Sequence, residues 1–194
     1  MLTTATALAS LAALLAAAPP GARDYTVAEG SSIGYKLVHK LHEVEGTAKG
    51  AIGSARVLAD GTVQVVARAE VAHFDSGNGN RDSHMQEVTE AAKYPQVEFK
   101  GIGKGFVLPA QTPAKLTLSL AGRLTFHGQQ QPVTVTVEVT AESEGKLKVE
   151  GTFPISLEAF KVERPSLIFV AVDDKVDIVL HLMLEGAKSE PAKP

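Results

Sequence analysis

The sequence predicts an all-β protein with one short helical insert, in which consecutive antiparallel strands form an up-and-down barrel or a sandwich. Apolar and polar residues alternate along most of the chain, as in Val133, Val135, Val137 and Val139, and this period of two is typical of half-buried strands. Short turn signals such as Asp60-Gly61 separate the alternating segments. Only the polar stretch 74–99 breaks the pattern within the body of the chain.

Each strand is predicted from its own alternating set. About eight strands are expected near residues 24–29, 32–40, 43–57, 62–73, 95–107, 115–126, 132–142 and 146–157, with a ninth near 174–185. The segment 45–55 is rich in Gly and Ala, so it should bend easily, as a barrel strand must. Gly101, Gly103 and Gly105 predict a bulged strand rather than a phosphate-binding loop, because no suitable helix pattern follows them.

The polar stretch predicts a helix of about three turns. Asn80 or Asp82 can cap its N-terminus. Met85 and Val88 begin an apolar stripe that should face the sheet. Pro95 disfavours helix at the residue before it and returns the chain to strand.

Composition restricts the class of protein. The chain has 194 residues, 44% of them hydrophobic and 21% charged, which suits one domain with a substantial core. The net charge of −3 gives no reason to expect a nucleic-acid partner, since phosphate binding needs a clustered basic surface. With no Cys, the chain has no disulfide, thiolate metal ligand or Cys nucleophile.

The two ends are predicted to differ from the domain between them. Residues 1–22 carry no charged side chain, and 7–18 are apolar except Ser10. That run is too short to span a bilayer as a transmembrane helix but suits a signal peptide, the alternative being a disordered Ala-rich leader. The boundaries are therefore a signal peptide over 1–22, one domain over 23–186 and a disordered tail over 187–194, with a periplasmic or secreted location.

Catalytic and metal-binding patterns are weak. His39 and His42 resemble a metal pair, but an offset of three places them on opposite faces of a strand. A calcium loop beginning at Asp75 fails at its third and twelfth positions. No nucleophile motif occurs either. We therefore assign no catalytic residue, metal ligand or cofactor, and favour a binding protein over an enzyme.

The small side chains leave room for a ligand. A barrel of about eight strands can hold one small molecule, and this chain has many Ala, Gly and Val residues and no Trp. A narrow barrel filled by its own side chains is the equal alternative on these grounds.

Several motifs, taken in order, resemble the YceI-like family of polyisoprenoid-binding, lipocalin-like periplasmic proteins, over roughly Tyr25 to Leu184. They are Val38-His39 with Val44-Glu45-Gly46, then Asn80-Arg81-Asp82 with His84-Met85, then Tyr94-Pro95 with Phe99, and then Gly122 to Gly128 with Pro132-Val133. The resemblance implies an extended antiparallel barrel with an elongated apolar pocket and no catalysis.

The implied ligand is a polyisoprenoid, an isoprenoid quinone or another fatty amphiphile. The expected apolar lining is Phe74, Met85, Tyr94, Phe99, Phe126, Phe153 and Phe169. The expected polar rim for a head group is Asn80, Arg81, Asp82, His84 and His127, whose alternative role is to pin the insert to the barrel. The chain could form a homodimer. The alternative functions are a metal protein or metalloenzyme using His39, His84 and His127, or a ligand-free structural or stress-related interaction module.

Overall fold

A computed structural model describes residues 21–39, 42–143, 145–164, 166–167, 170–171 and 173–186. The predicted tail, all but the last two residues of the predicted signal peptide, and Phe169 lie outside the described residues. Within the described part, no helix is long and apolar enough to cross a membrane.

The described chain is mostly strand. The strands are β1 (Arg23–Val27), β2 (Ser32–His39), β3 (His42–Lys49), β4 (Ile52–Val57), β5 (Val63–Glu70), β6 (Phe74–Asp75), β7 (Gln96–Gly103), β8 (Ala114–Phe126), β9 (Gln129–Ser143), β10 (Lys146–Ser156), β11 (Ser166–Leu167), β12 (Val170–Ala171) and β13 (Lys175–Gly186). A 3-10 turn spans Val71–His73, and one α-helix, α1, spans Gly79–Val88.

The strands close into an antiparallel barrel, which confirms the barrel and not the sandwich. The order β1-β4-β5-β7-β8-β9-β10-β13 returns to its start because β13 also pairs with β1. β2 pairs with the other half of β13 and with β3, so β1 and β2 act as one interrupted strand. β3 and β4 act as another. If each interrupted pair is counted as one strand, the barrel has eight strands, and neighbouring strands in the barrel are also neighbours along the chain.

The predicted strand 43–57 is interrupted. β3 ends at Lys49 and β4 begins at Ile52, because Gly50 has a left-handed φ of 77° that a regular strand does not contain. The facing interruption between β1 and β2 is held by Ser31, whose hydroxyl donates to the Ala28 carbonyl at 2.7 Å and accepts from the Met183 amide at 2.9 Å. Because the two interruptions lie side by side, both interrupted strands can bend at the same place.

The two ends of the barrel differ in how they are built. One end, here called the turn end, carries the tight turn 58–62, the loop 104–113 and the turn between β9 and β10. Phe106 is buried there, and its amide donates to the Gly61 carbonyl at 3.0 Å. The opposite end, the helix end, carries the end of β2 and the start of β3, the segment 71–95 with α1, the β8–β9 turn and residues 157–164 after β10.

The insert forms a helix, but its ends differ from the prediction. Asn78 caps it by accepting the Arg81 amide at 3.2 Å, so neither Asn80 nor Asp82 is the cap. The helix ends at Val88, well before Pro95, because Glu90 turns to a left-handed φ of 46°. None of the residues in α1 is buried, so the helix lies over the barrel end without entering the packed core.

Candidate functional site

The barrel encloses a cavity of about 620 Å³ whose walls are mainly Val, Leu, Ile and Phe side chains. Its polar lining is sparse: Tyr25, Tyr35, Ser54, Asn78, Asn80, Arg81, His84, Thr89 and Glu163. Most of these groups stand at the helix end, where α1 and the residues next to it reach the cavity. The site is therefore apolar along its depth and polar at one end.

Five of the aromatic and Met side chains expected in the lining do border the cavity: Phe74, Met85, Phe99, Phe126 and Phe153. Tyr94 does not appear among the lining residues. Its ring packs edge-on against His127, with centroids 5.2 Å apart. Phe169 lies outside the described residues.

Glycines make room for aromatic rings on the inner face. A Cβ at Gly46 would stand 2.5 Å from the ring of Tyr35, and one at Gly101 would stand 2.5 Å from the ring of Phe99. A Cβ at Gly122, the cross-strand partner of Gly101, would stand 2.2 Å from the Lys100 carbonyl oxygen and 2.8 Å from the same Phe99 ring. These rings can therefore lie flat along the wall and leave the centre of the barrel open.

The same contacts correct the expected bulge in β7. This strand pairs with β5 and β8 without a shift in register, so Gly101 is needed for the close approach of Phe99 and not for a bulge. Tyr35 was not foreseen in the lining, because its role depends on Gly46 of the next strand facing its ring across the hairpin.

A network of hydrogen bonds joins the start of α1 to Ser76, which follows β6. Arg81 donates from Nε to the Ser76 hydroxyl at 2.8 Å and from a terminal nitrogen to the Ser76 carbonyl at 2.6 Å. Asp82 accepts from the Ser76 amide at 3.1 Å and from its hydroxyl. Asp82 belongs to this network and does not line the cavity, whereas Asn80, Arg81 and His84 do line it.

Several protein groups at the helix end of the cavity can donate hydrogen bonds. Burial, followed by the charge of Asp82, raises the pKa of the Tyr35 phenol, with Arg81 opposing, so Tyr35 is neutral at physiological pH. His84 is half-exposed, with Nδ1 3.6 Å from the Glu87 carboxylate. Amide, guanidinium and phenol groups therefore surround the helix end of the cavity, here called its mouth. Sequence reasoning missed Asn78, the helix cap, which also reaches the cavity.

His127 lies behind the cavity wall and joins three elements. Its Nδ1 is 2.9 Å from the Phe160 carbonyl, and its Nε2 is 3.6 Å from the Glu90 carboxylate without a hydrogen-bond partner. The only described non-glycine residues with a left-handed φ are His127, Glu90 and Lys161, which follows Phe160. Such backbone is costly and persists where surrounding contacts impose it. The structure thus places His127 as a connector of the mouth segments.

The alternative of a metal site would need a cluster of ligating side chains. In the described stretches of the chain, no three His, Asp or Glu side chains gather in a way that could hold a metal ion. His39 and His42 do not lie on one strand, as the prediction from an offset of three assumed: His39 ends β2, and His42, its cross-strand partner, begins β3.

Solved structures of similar fold come from several bacteria. The chain is similar to BcnA of Burkholderia cenocepacia, with 25% identity, a TM-score of 0.65, and 79% of this chain and 95% of that one covered. A polyisoprenoid-binding domain from Saccharophagus degradans, implicated in plant cell wall breakdown, shares 15% identity with a TM-score of 0.68, over 84% and 98% of the two chains. The Campylobacter jejuni YCEI protein shares 17% identity with a TM-score of 0.60, over 77% and 88%.

No match was found among curated protein sequences. The sequence profile of the YceI-like domain, by contrast, matches residues 25–184, which run from β1 almost to the end of β13. The matched range therefore includes nearly all of the closed barrel, together with the insert and the cavity. With most of its length matched, this chain belongs to the YceI-like family.

Proposed function

We propose that this protein is a periplasmic or secreted carrier that holds a polyisoprenoid, an isoprenoid quinone or another fatty amphiphile inside the barrel. The observation that carries the proposal is the apolar cavity of about 620 Å³. Its volume falls within the range of small-molecule sites, roughly 300–1,000 Å³. The polyisoprenoid-binding domain of Saccharophagus degradans has the same fold, which supports this class of ligand.

The cavity volume sets the length of chain that it can hold. An apolar protein cavity of about 150 Å³ accepts one benzene molecule, so about 620 Å³ corresponds to four such rings. The barrel therefore suits a chain of roughly twenty to twenty-five carbons. Burial contributes about 0.8 kcal/mol for each CH₂, so a chain of this length reaches the practical limit of affinity after ordering costs.

The distribution of polar groups sets the direction of the ligand. Phe106 lies at the turn end, whereas Asn80, Arg81 and His84 border the cavity at the helix end. An amphiphile therefore places its tail towards Phe106 and its head group beneath α1, because a buried head group needs hydrogen-bond partners. The Arg81 guanidinium and the Asn80 amide can donate there, beside the Glu163 carboxylate, so we expect a head group that accepts hydrogen bonds, such as a carbonyl or hydroxyl.

Lipid extraction tests the proposal directly. Purified protein is extracted with organic solvent, and a second sample is first incubated with a bacterial membrane extract; both extracts are analysed by mass spectrometry. We expect one lipid-like molecule per barrel. Protein that carries no lipid and takes none up from the membrane extract would sink the proposal.

A pair of neighbouring substitutions separates the cavity from the surface. Leu120 is buried and lines the cavity, whereas Ser119 beside it is exposed on the outer face. Leu120→Glu should abolish lipid uptake because it places a carboxylate in an apolar site, while Ser119→Glu should retain it. Circular dichroism checks the fold; if Leu120→Glu does not fold, uptake by the wild type alone decides.

The head-group role of the rim has its own test. His84 borders the cavity, and Glu87, one turn later on α1, does not. We expect His84→Ala to weaken binding of an amphiphile but not of a hydrocarbon of equal length, with little change in stability. Glu87→Ala should leave both affinities unchanged. Equal loss for the two ligands would show that His84 acts only through the position of α1 and not on the head group.

A further inference from the structure

The outer surface of the barrel is electrostatically asymmetric. The strands β4, β5, β7 and β8 carry Arg56, Arg68, Lys100, Lys115 and Arg123 against Glu70 and Glu98. The strands β9, β10 and β13 carry Lys146, Lys148 and Lys175 against Glu138, Glu142, Glu150, Asp177 and Glu185. The outer face of β4, β5, β7 and β8, here called the basic wall, is thus positive on a chain of net charge −3.

The positive charge concentrates at the centre of this wall. Lys100 of β7 stands directly opposite Arg123 of β8, and like charges in this cross-strand position repel. Glu98 is shared between Arg68 and Lys100, with 2.7 Å to the Lys100 ammonium. Arg123 has no acidic partner within ion-pair distance among the described residues. The centre of the basic wall therefore carries more positive than negative charge, which favours an anionic partner.

The carboxylate in this cluster is committed to its cations. Burial alone would raise the pKa of Glu98, but hydrogen bonds from Lys100 and Arg68 outweigh it and hold that pKa below its ordinary value. Arg56 is similarly bound to Asp24 through two contacts of 2.6 and 3.1 Å. Arg68, Lys100 and Arg123 therefore share the single carboxylate of Glu98, and the cluster keeps an excess of positive charge.

Exposed aliphatic side chains lie on the same wall. A depression of about 500 Å³ runs from β1 and β4 across β5, β7 and β8. Val66 and Ala121 line it together with Lys100, Arg123 and the ion pair of Arg56 with Asp24. Ile102 also lines it and is 51% exposed, and Ile52 of β4 is 48% exposed. Large exposed aliphatic residues among cations are typical of surfaces that enter a lipid interface.

We propose that the basic wall docks this protein onto an anionic lipid surface. Lys100 and Arg123 attract the head groups, and Ile52 and Ile102 enter between them. The exposed isoleucines favour a lipid surface over an acidic protein, whose rim contacts would be polar.

Vesicle flotation tests the docking surface. The full chain is mixed with vesicles of phosphatidylcholine alone or of phosphatidylcholine with phosphatidylglycerol, and the floating fraction is measured at low and high salt. We expect flotation only with the anionic vesicles and its loss at high salt. Each cation near such a surface contributes about five-fold in partitioning, so Arg123→Glu should lower it by roughly 25-fold.

Two further variants keep the result specific to this wall. Lys146→Glu makes the same charge change on the opposite side of the barrel, where Lys146 is exposed, and should leave flotation nearly unchanged. Ile102→Ser should weaken flotation without changing its dependence on salt. Wild-type protein that stays in solution with anionic vesicles overturns the proposal, as does an equal loss for Lys146→Glu and Arg123→Glu.

Lipid uptake keeps the docking and carrier proposals separable. The Arg123→Glu protein should still take up a lipid that is supplied in detergent, because the cavity is untouched. A failure of uptake by every variant and the wild type would contradict the carrier proposal, while leaving the flotation result to stand.

Discussion

Filling the cavity near its turn end should shorten the apolar chain that the barrel holds. Ala55 of β4 is buried, lines the cavity and lies between Tyr25 and Val65 of the adjacent strands. In Ala55→Phe, the added ring occupies a volume close to that of one benzene, about 150 Å³. This is roughly a quarter of the cavity of about 620 Å³.

The loss of volume translates into a loss of ligand carbons. One ring displaces about six carbons, and at about 0.8 kcal/mol for each CH₂ a ligand that fills the wild-type cavity loses roughly 5 kcal/mol. If half of this is recovered because the chain extends from the mouth, affinity still falls on the order of 50-fold. A chain shorter by one isoprene unit should bind nearly as well as its best counterpart binds to the wild type.

Competition with a ladder of prenyl alcohols that differ by one isoprene unit measures the preferred length. Thr136→Phe adds the same ring at an exposed position on β9 and should leave the preferred length unchanged. Thermal melting checks that overpacking, which costs about 1–3 kcal/mol, has not unfolded the barrel. A folded Ala55→Phe protein with the wild-type length preference would refute the reasoning.

Three further predictions concern stability. Asp82→Ala removes the carboxylate that accepts from Ser76 and should lower the free energy of unfolding by about 1–2 kcal/mol; an unchanged denaturation midpoint would contradict the pinning role. His127→Ala leaves the Phe160 carbonyl without its partner and should cost about 1–3 kcal/mol, measured by urea unfolding, whereas a cost near zero would show that the mouth connection is dispensable. The ion pairs of Glu98 hold its folded-state pKa below the unfolded value of about 4.3, so their stabilisation is present above that pH and lost as the pH falls. Melting temperature should therefore drop on acidification in the wild type and less in Glu98→Gln; identical profiles would argue against this linkage.

Local pattern was sufficient for the strands. Val133, Val135, Val137 and Val139 belong to one regular strand, β9, because side chains alternate between its faces whatever the strand pairs with. The same period shows which face is apolar, so Phe99, Phe126 and Phe153 could be expected to point inward. The existence of the helix was also local, since its polar residues break the alternation.

The ends of the insert depended on contacts that no short window contains. The cap is Asn78 rather than Asn80 or Asp82, because Asp82 is drawn to Ser76 and Asn78 is left to accept the Arg81 amide. Just after the helix, Glu90 has a left-handed φ, and its carboxylate lies 3.6 Å from Nε2 of His127, a residue distant in sequence. Propensity could not choose among these positions, because each of them can cap or end a helix locally.

Sequence by itself determined that this chain forms alternating strands with one apolar face and a helical interruption, because side-chain period is a property of a short segment. Tertiary structure alone decided that Tyr94 packs on His127 while Phe99 lies in the cavity, and that Gly46 and Gly101 face aromatic rings. It also decided that Lys100 meets Arg123 on the outer wall. These outcomes follow from the register of strands that are distant in sequence, and register is fixed only when the whole barrel closes.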